Sequence, residues 1–354
     1  MTDLDQRIAS VLRERAEGEI DARRLLRGSR ALGRRRQVRR RVTAGTALAL
    51  VGVLGFVGVV KADVGGLAGR LPWTATTPAV APPPVPPLAD GVPGAAVAPA
   101  RVGTDPGVLH FAIDPGRARY LGWGAHAGTI ESVRFSVGSG TPVLVEVTAT
   151  AGHLDDYPIE GLPVDVVRDR LPFDGTVQRA RGNSGLLMSW QPVRGLYARA
   201  STTDLDQAAL RRAVEVLRFD TARRCAGPVR LTDLPAGARV VGCDVDVSSF
   251  PGLVTANLTV NRDRTHYMWL RYRYASHVAG SRTEGNRTIA GRPAYLSPDG
   301  TTLELLGQPK VDLVAQLRWA ADGTGPPGFT EAEAGTLLGG AKLATDPTDS
   351  KTWP

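Results

Sequence analysis

The stretch VTAGTALALVGVLGFVGVV, residues 42–60, contains nineteen residues and no charged side chain. Arg41 precedes it and Lys61 follows it. Because an α-helix rises 1.5 Å per residue, a helix of this length covers about 28 Å, close to the ~30 Å hydrocarbon thickness of a bilayer. The sequence therefore predicts a single transmembrane helix, with a short segment before it and a long one after it.

The charge of the chain lies mostly before this stretch. Residues 1–41 contain 13 Arg and six acidic residues, a net charge of +7, whereas residues 62–354 contain 29 basic and 29 acidic residues. Since positively charged flanks stay in the cytoplasm, we expect a cytoplasmic N-terminus and an extracytoplasmic C-terminal region in the plasma membrane. The neutral C-terminal region argues against nucleic-acid binding, despite the overall charge of +8.

The segment 1–41 has two features that suggest contacts. An apolar stripe at helical spacing is a candidate docking surface for a cytoplasmic partner, and it consists of Leu4, Ile8, Val11 and Leu12. The run RRRQVRRR orients the chain and suits anionic lipid head groups, through Arg34, Arg35, Arg36, Arg39, Arg40 and Arg41. Lys61 and the long charged segment before the apolar run favour an uncleaved signal anchor over a cleaved signal peptide.

Residues 61–106 have the composition of a spacer. Nine prolines fall between Pro72 and Pro99, among Ala, Val and Thr. Proline lacks the N–H that ladders and helices require, so an extended and semi-rigid linker is expected.

Beyond residue 107 the alternation of apolar and polar residues predicts β-strands. A hairpin is expected whose two strands flank the turn Gly138–Gly140, and further strands are expected over 254–260 and 268–274. Helices are expected over 204–218 and after Thr330, with capping boxes formed by Thr203 and Asp206 and by Thr330 and Glu333. Ala118, Arg119 and Gly122 recur 120 positions later as Ala238, Arg239 and Gly242, and further matches follow in the same order. The prediction is an α+β fold: a single transmembrane helix followed by two tandem, related β-rich modules, 107–222 and 223–354, each an antiparallel sheet plus one helix.

The two cysteines, Cys225 and Cys243, both belong to the second module. Disulfides form in oxidising compartments, and the topology above places both residues outside the cytoplasm. We therefore expect them to be paired.

The sequence contains no recognisable catalytic motif. The five histidines have neither metal-site spacing nor a neighbouring cysteine, and no nucleophile elbow, phosphate loop or dinucleotide fingerprint occurs in a workable context. We expect neither an enzyme nor a cofactor. One aromatic group with interleaved arginines is either a packed cross-strand cluster or a surface for a carbohydrate or peptide ligand, and it comprises Tyr267, Trp269, Tyr272 and Tyr274.

The N-terminal third resembles a known class of protein. A short helix such as IASVLRERAEGEIDARRLLRG, the arginine run, one spanning stretch and a Pro-rich spacer are similar to actinobacterial single-pass membrane proteins associated with extracytoplasmic-function sigma factors. That resemblance implies an anti-sigma-like regulator whose segment 1–41 binds a sigma factor. The zinc-binding His-x-x-x-Cys-x-x-Cys motif of such proteins is absent, because no Cys or His occurs before His110.

Two functions follow from these observations. In the first, the modules sense an extracytoplasmic ligand and the N-terminal segment binds a sigma factor or another cytoplasmic regulator. In the second, the chain is an envelope-anchored binding or structural protein without a signalling role.

Overall fold

A computed structural model of the chain describes residues 83–155, 164–167, 176–180, 185–263, 265–277, 284–317 and 328–354. All of them belong to one compact unit, Thr77–Pro354. The predictions for residues 1–41 and 42–60, which include the docking stripe and the arginine run, lie outside the described residues.

The strands are named in chain order. The first half of the unit contains β1 (Leu88–Pro93), β2 (Val108–Leu109), β3 (Ala112–Ile113), β4 (Ala118–His126), β5 (Glu131–Val137), β6 (Val143–Thr148), β7 (Val164–Val167), β8 (Thr176–Ala180), β9 (Leu186–Val193), β10 (Leu196–Thr202), β11 (Leu217–Arg218) and β12 (Thr221–Arg224). The second half contains β13 (Val229–Leu231), β14 (Arg239–Asp246), β15 (Leu253–Asn261), β16 (Tyr267–Ala275), β17 (Arg287–Ile289), β18 (Arg292–Leu296), β19 (Thr302–Leu305), β20 (Val311–Gln316) and β21 (Ala341–Leu343).

The described helices are short. They are α1 (Gly152–Asp155), α2 (Gln207–Glu215) and α3 (Glu331–Gly339), with 3-10 turns at Pro99–Arg101 and Ser350–Thr352. Helices α2 and α3 each place three residues in the core, and these are Leu210, Ala213, Val214, Ala334, Leu337 and Leu338.

Fourteen strands form one sheet, in the order β17-β18-β19-β20-β16-β15-β14-β4-β5-β6-β10-β9-β8-β7. From the β4–β14 pair outward, the first half has the order β4-β5-β6-β10-β9-β8-β7 and the second half has the order β14-β15-β16-β20-β19-β18-β17. The two orders correspond strand by strand. The correspondence extends to an irregularity in register, which falls between Tyr120 and Gly122 in one half and between Val240 and Gly242 in the other. The two halves are therefore related by a pseudo-twofold axis at their junction, and we call this junction the seam.

The predicted fold class is corrected. The described part of the chain is mainly β, and its two halves share one sheet, whereas the sequence predicted an α+β arrangement of separate modules after a transmembrane helix. The halves merge because β4 and β14 hydrogen-bond to each other, which pairs two edges that would otherwise be exposed.

The single-pass membrane prediction is corrected as well. No helix within the ranges that the structure describes is long and apolar enough to cross a bilayer, and α2 and α3 have only nine residues each. The stretch that motivated this prediction, 42–60, is not among the described residues.

One face of the sheet forms the core. Along β15 and β16 every second side chain is buried, including Val254, Leu258 and Leu270. The residues between them are polar or amphipathic and lie on the opposite face, which we call the outer face. This alternation is the expected result of the two-residue period of a strand.

Part of the predicted linker belongs to the fold. Strand β1 pairs with β12, and Ala89 is buried against Val108 and Ala222. A proline-rich segment can pair at a sheet edge, because edge positions do not need every N–H. The folded unit therefore begins well before residue 107.

The disulfide between Cys225 and Cys243 is confirmed. Cys243 lies on β14 beside the seam, where its register partner on β4 is Ala125. The bond ties the segment before β13 to the centre of the large sheet.

Candidate functional site

The seam carries a cleft on its outer face. Strand β4 has glycines at alternate positions, Gly122 and Gly124, and both face β14, where their register partners are Asp246 and Asp244. A Cβ atom on Gly122 would lie 2.8 Å from the Val245 carbonyl oxygen, and one on Gly124 would overlap Asp244 Oδ1. Because neither glycine has a side chain, β4 and β14 can lie close together and the two aspartate side chains can extend over β4.

The cleft has a volume of about 320 Å³. Both halves contribute side chains to it: Ser132, Arg134 and Leu144 from the first, and Asp244, Asp246, Thr255 and Asn257 from the second. This volume is at the lower end of the range of ligand pockets, about 300–1,000 Å³, so the cleft suits a small ligand. We call it the seam cleft.

Two ion pairs cross the seam at the cleft. Arg134 Nη2 on β5 lies 2.5 Å from Asp246 Oδ2 on β14, and His126 Nε2 on β4 lies 3.1 Å from Asp244 Oδ1. Both pairs join one half of the chain to the other. They leave the cleft close to neutral when His126 is protonated.

The pairs shift the titration of their members. The hydrogen bond that His126 donates to Asp244 raises the pKa of His126, and this effect outweighs burial, which acts in the opposite direction. Burial alone would raise the pKa of Asp246, but hydrogen bonds from Ser248 and Arg134 together lower it. Both groups are thereby held more strongly in their charged forms.

Several groups in the seam cleft make no hydrogen bond within the described part of the protein. They are the hydroxyls of Ser132 and Thr255, the amide of Asn257 and the Oδ2 atom of Asp244; the residues themselves are half-buried. Such convergent groups in a concave site are available to a ligand. The hydroxyls and the amide can both donate and accept, whereas the carboxylate oxygen accepts only.

A second, larger cleft of about 770 Å³ lies between α3 and β17. Its two mouth residues, Arg287 and Glu331, pair with each other, and its helical wall consists of small residues such as Gly335 and Gly339. Thr288 and Ala332 there are exposed. Despite its size, this cleft presents fewer unpaired polar side chains among its described residues than the seam cleft does, so we regard the seam cleft as the stronger candidate.

The chemistry of a metal site is not evident in the described ranges, since no group of three or more His, Cys, Asp and Glu side chains there could hold an ion. His153, which lies in a polar stretch after β6, contacts neighbouring protein groups. His153 Nδ1 lies 3.3 Å from both the Thr148 hydroxyl and the Thr129 carbonyl oxygen.

The predicted aromatic surface is divided between the two faces of the sheet. Tyr272 and Tyr274 are buried in the core, whereas Tyr267 and Trp269 are half-buried on the outer face. The interleaved Arg271 is exposed on the outer face. The structure therefore brings together only half of the proposed aromatic group.

The sequence analysis did not identify the seam cleft. Two local signals were present: glycines at alternate positions of a strand, Gly122 and Gly124, and aspartates at alternate positions, Asp244 and Asp246. The offset of 120 that relates Gly124 to Asp244 is also the repeat offset, and it places this pair on the pseudo-twofold axis.

No protein-family model and no curated protein sequence matches this chain. Among solved structures, six chains match. One of them is described as the crystal structure of MucB in complex with MucA(peri); it is 10% identical, covers 69% of this chain and 96% of that chain, and has a TM-score of 0.21. A likeness of this size establishes neither the fold nor the function of the chain.

Proposed function

We propose that this chain is a ligand-binding protein whose two halves together recognise a small polar ligand in the seam cleft. The observation that supports the proposal is the set of convergent, unpaired hydrogen-bonding groups contributed by both halves: Ser132, Thr255, Asn257 and Asp244 Oδ2. A bound ligand would bridge strands β5, β4, β14 and β15, and so would stabilise the seam. Binding would thereby report on the relative arrangement of the halves, as a sensor requires.

Binding rather than catalysis fits the state of the charged groups. Asp246 is held by Arg134 and Ser248, and His126 is held by Asp244. A general base must be free to accept the proton of a substrate, and these groups are engaged with one another. The proposal therefore retains the expectation of a protein that is not an enzyme.

The disulfide favours a location of the folded unit outside the cytoplasm. Cys225 and Cys243 are joined in the core of the unit, and such bonds persist in oxidising compartments. Alkaline phosphatase fused to the C-terminus would be active only if that end is exported, and an inactive fusion would contradict the location.

Binding can be tested on the full-length chain with a defined panel: glucose, trehalose, lysine, putrescine, succinate and alanylalanine. Saturation-transfer NMR should detect at least one of these compounds on the wild-type protein. Ser132→Leu should fill the cleft and abolish that signal. Ser136→Leu is the matched control, because Ser136 lies on the same strand and face but outside the cleft.

Each outcome decides the question, provided that both variants show wild-type circular dichroism. Loss of binding in Ser132→Leu alone supports the seam cleft. Equal binding in all three proteins, or no binding of any compound at about 10 mM, at which ligands with a Kd of ~1 mM are largely bound, contradicts the proposal.

A second proposal concerns residues 1–41, where the spacing of Leu4, Ile8 and Leu12 favours an amphipathic helix. We propose that this segment binds a regulator such as a sigma factor. A pull-down with the full-length chain that recovers a sigma factor, and loses it in the triple Ser variant of these three residues, supports the proposal. Recovery that is unchanged in the variant contradicts it.

A further inference from the structure

We infer that the ligand of the seam cleft is a neutral saccharide, bound through its hydroxyl groups. This inference rests on the proposed binding function and identifies the class of ligand. The residues that carry it are Ser132, Thr255 and Asn257 in the cleft and Trp269 beside it.

The charges that line the cleft favour a neutral ligand. A cationic ligand would meet the Arg134 guanidinium. An anionic ligand would meet Asp244 and Asp246. Each of these charges already has an opposite partner inside the protein, so a charged ligand would add an unbalanced charge to a site whose charges are paired, whereas a neutral ligand would not.

The unpaired polar groups of the cleft disfavour a purely apolar ligand. Leu144 is half-buried in the cleft, whereas the other two large apolar residues that line it, Trp123 and Val245, are buried in the core. Burying apolar surface against unpaired hydroxyl and amide groups is unfavourable, because these groups would lose their bonds to water. The ligand must replace those bonds.

Hydroxyl groups match the unpaired set. Each sugar hydroxyl both donates and accepts, as do the Ser132 and Thr255 hydroxyls and the Asn257 amide, and Asp244 Oδ2 accepts an O–H. The register places Ser132, Gly124, Asp244 and Asn257 side by side across four adjacent strands, at about 4.8 Å per strand. The polar side chains of this row are therefore spaced so that several hydroxyl groups of one sugar ring can be bound at once.

The outer face continues the site toward a second sugar. On β16 the register partner of Asn257 is Arg271, and Trp269 lies two residues before Arg271 on the same face, opposite Thr259 of β15. Its half-buried ring lies on the same face as the cleft. The apolar face of a sugar packs on such a ring, so a disaccharide gains a contact that a monosaccharide lacks.

The test uses glucose and trehalose, titrated against the full-length chain by calorimetry, beside lysine, putrescine, succinate and alanylalanine. Both sugars should bind, and trehalose should bind more tightly. Asn257→Leu and Thr255→Val should each weaken both sugars by roughly five- to tenfold, the effect of a lost hydrogen bond. Trp269→Leu should weaken trehalose by roughly threefold or more and leave glucose unchanged, since only the disaccharide reaches the ring.

Ser136→Ala serves as the control and should bind both sugars as the wild type does. Equal affinities in the wild type, Asn257→Leu and Thr255→Val would overturn the assignment of the site. Binding of an amine, the dicarboxylate or the dipeptide in place of the sugars would overturn the ligand class while the proposed function stands. Failure of all six compounds would overturn both.

Discussion

Arg134 Nη2 lies 2.5 Å from Asp246 Oδ2, although β4 runs between the strands that carry the two residues. The side chain of Arg134 crosses β4 at Gly122, its register partner, where no side chain blocks the path. The same guanidinium nitrogen lies 3.5 Å from the Leu121 carbonyl oxygen. One glycine thus permits an ion pair between the two halves of the chain.

Gly122→Ala should destabilise the protein by about 1–3 kcal/mol, the usual effect of overpacking. The new Cβ would lie 2.8 Å from the Val245 carbonyl oxygen, so the β4–β14 pair would have to separate. Urea unfolding measures the change. Gly152→Ala is the control, because its added Cβ would meet no atom of the described residues within 4 Å outside its own helix, and it should not lower stability. Equal stability of Gly122→Ala and wild type would show that the seam tolerates the methyl group.

The His126–Asp244 pair should make stability depend on pH. Because the pKa of His126 is raised in the folded state, its contribution is fully present below the unfolded value of 6.5 and is lost as the pH rises through the folded pKa. The difference in free energy of unfolding between wild type and His126→Gln should therefore shrink as the pH rises above 6.5. Asp244→Asn should remove the same dependence. A difference that stays constant from pH 5 to pH 9 would contradict the assignment.

Glu131 should be among the residues whose loss destabilises the fold most. It is fully buried, and its carboxylate accepts the N–H of Gly103 at 2.8 Å and the N–H of His110 at 2.5 Å, beside His110 Nδ1 at 2.6 Å. Glu131→Ala leaves these donors unpaired in the core and should cost about 3–5 kcal/mol.

The control for Glu131 is Glu215, which pairs with Arg117 at 3.4 Å on the surface, where both side chains are more than half exposed. Glu215→Ala should change the free energy of unfolding by no more than about 0.5 kcal/mol. Denaturant midpoints measured at one pH compare the two variants. Similar losses in both would mean that burial does not govern the strength of these pairs.

Local patterns predicted the local structure well. Alternation predicted the β5–β6 hairpin and the strands β15 and β16, and the capping box of α3 is present, since Thr330 accepts the N–H of Glu333. The predicted capping box at the start of α2, between Thr203 and Asp206, was wrong. Asp206 is itself the N-cap and accepts the N–H of Ala208 at 2.8 Å, because a carboxylate can cap without a partner three residues away.

The seam could not be predicted in this way. The β4–β14 pair joins residues such as Gly124 and Asp244, which lie 120 positions apart, and no local pattern specifies which edges meet. The division of the aromatic group was predictable, since Tyr267 and Trp269 differ in parity from Tyr272 and Tyr274. Residues of opposite parity on one strand lie on opposite faces, so these four residues could not form one surface.

Opening the Cys225–Cys243 bond should lower stability by about 3 kcal/mol, the value that the chain-entropy model gives for a short loop, here with a sequence separation of 18. The double Ala variant and the reduced wild type should both show this loss in urea. Adding reductant to the double variant is the control and should have no effect. A reduced protein as stable as the oxidised one would mean that the bond adds no constraint.

Tyr272→Phe should leave stability unchanged or raise it by up to about 1 kcal/mol. The ring of Tyr272 is fully buried, its hydroxyl has no hydrogen-bond partner among the described residues, and burial, with the neighbouring Tyr274, raises its pKa. Removing the hydroxyl therefore removes a desolvated group and no bond.

Tyr120→Phe is the matched comparison, because the Tyr120 hydroxyl accepts the Ile113 N–H at 3.0 Å and its loss should cost about 1–2 kcal/mol. Thermal unfolding of both variants measures the contrast, and a larger loss for Tyr272→Phe would reveal a partner for that hydroxyl.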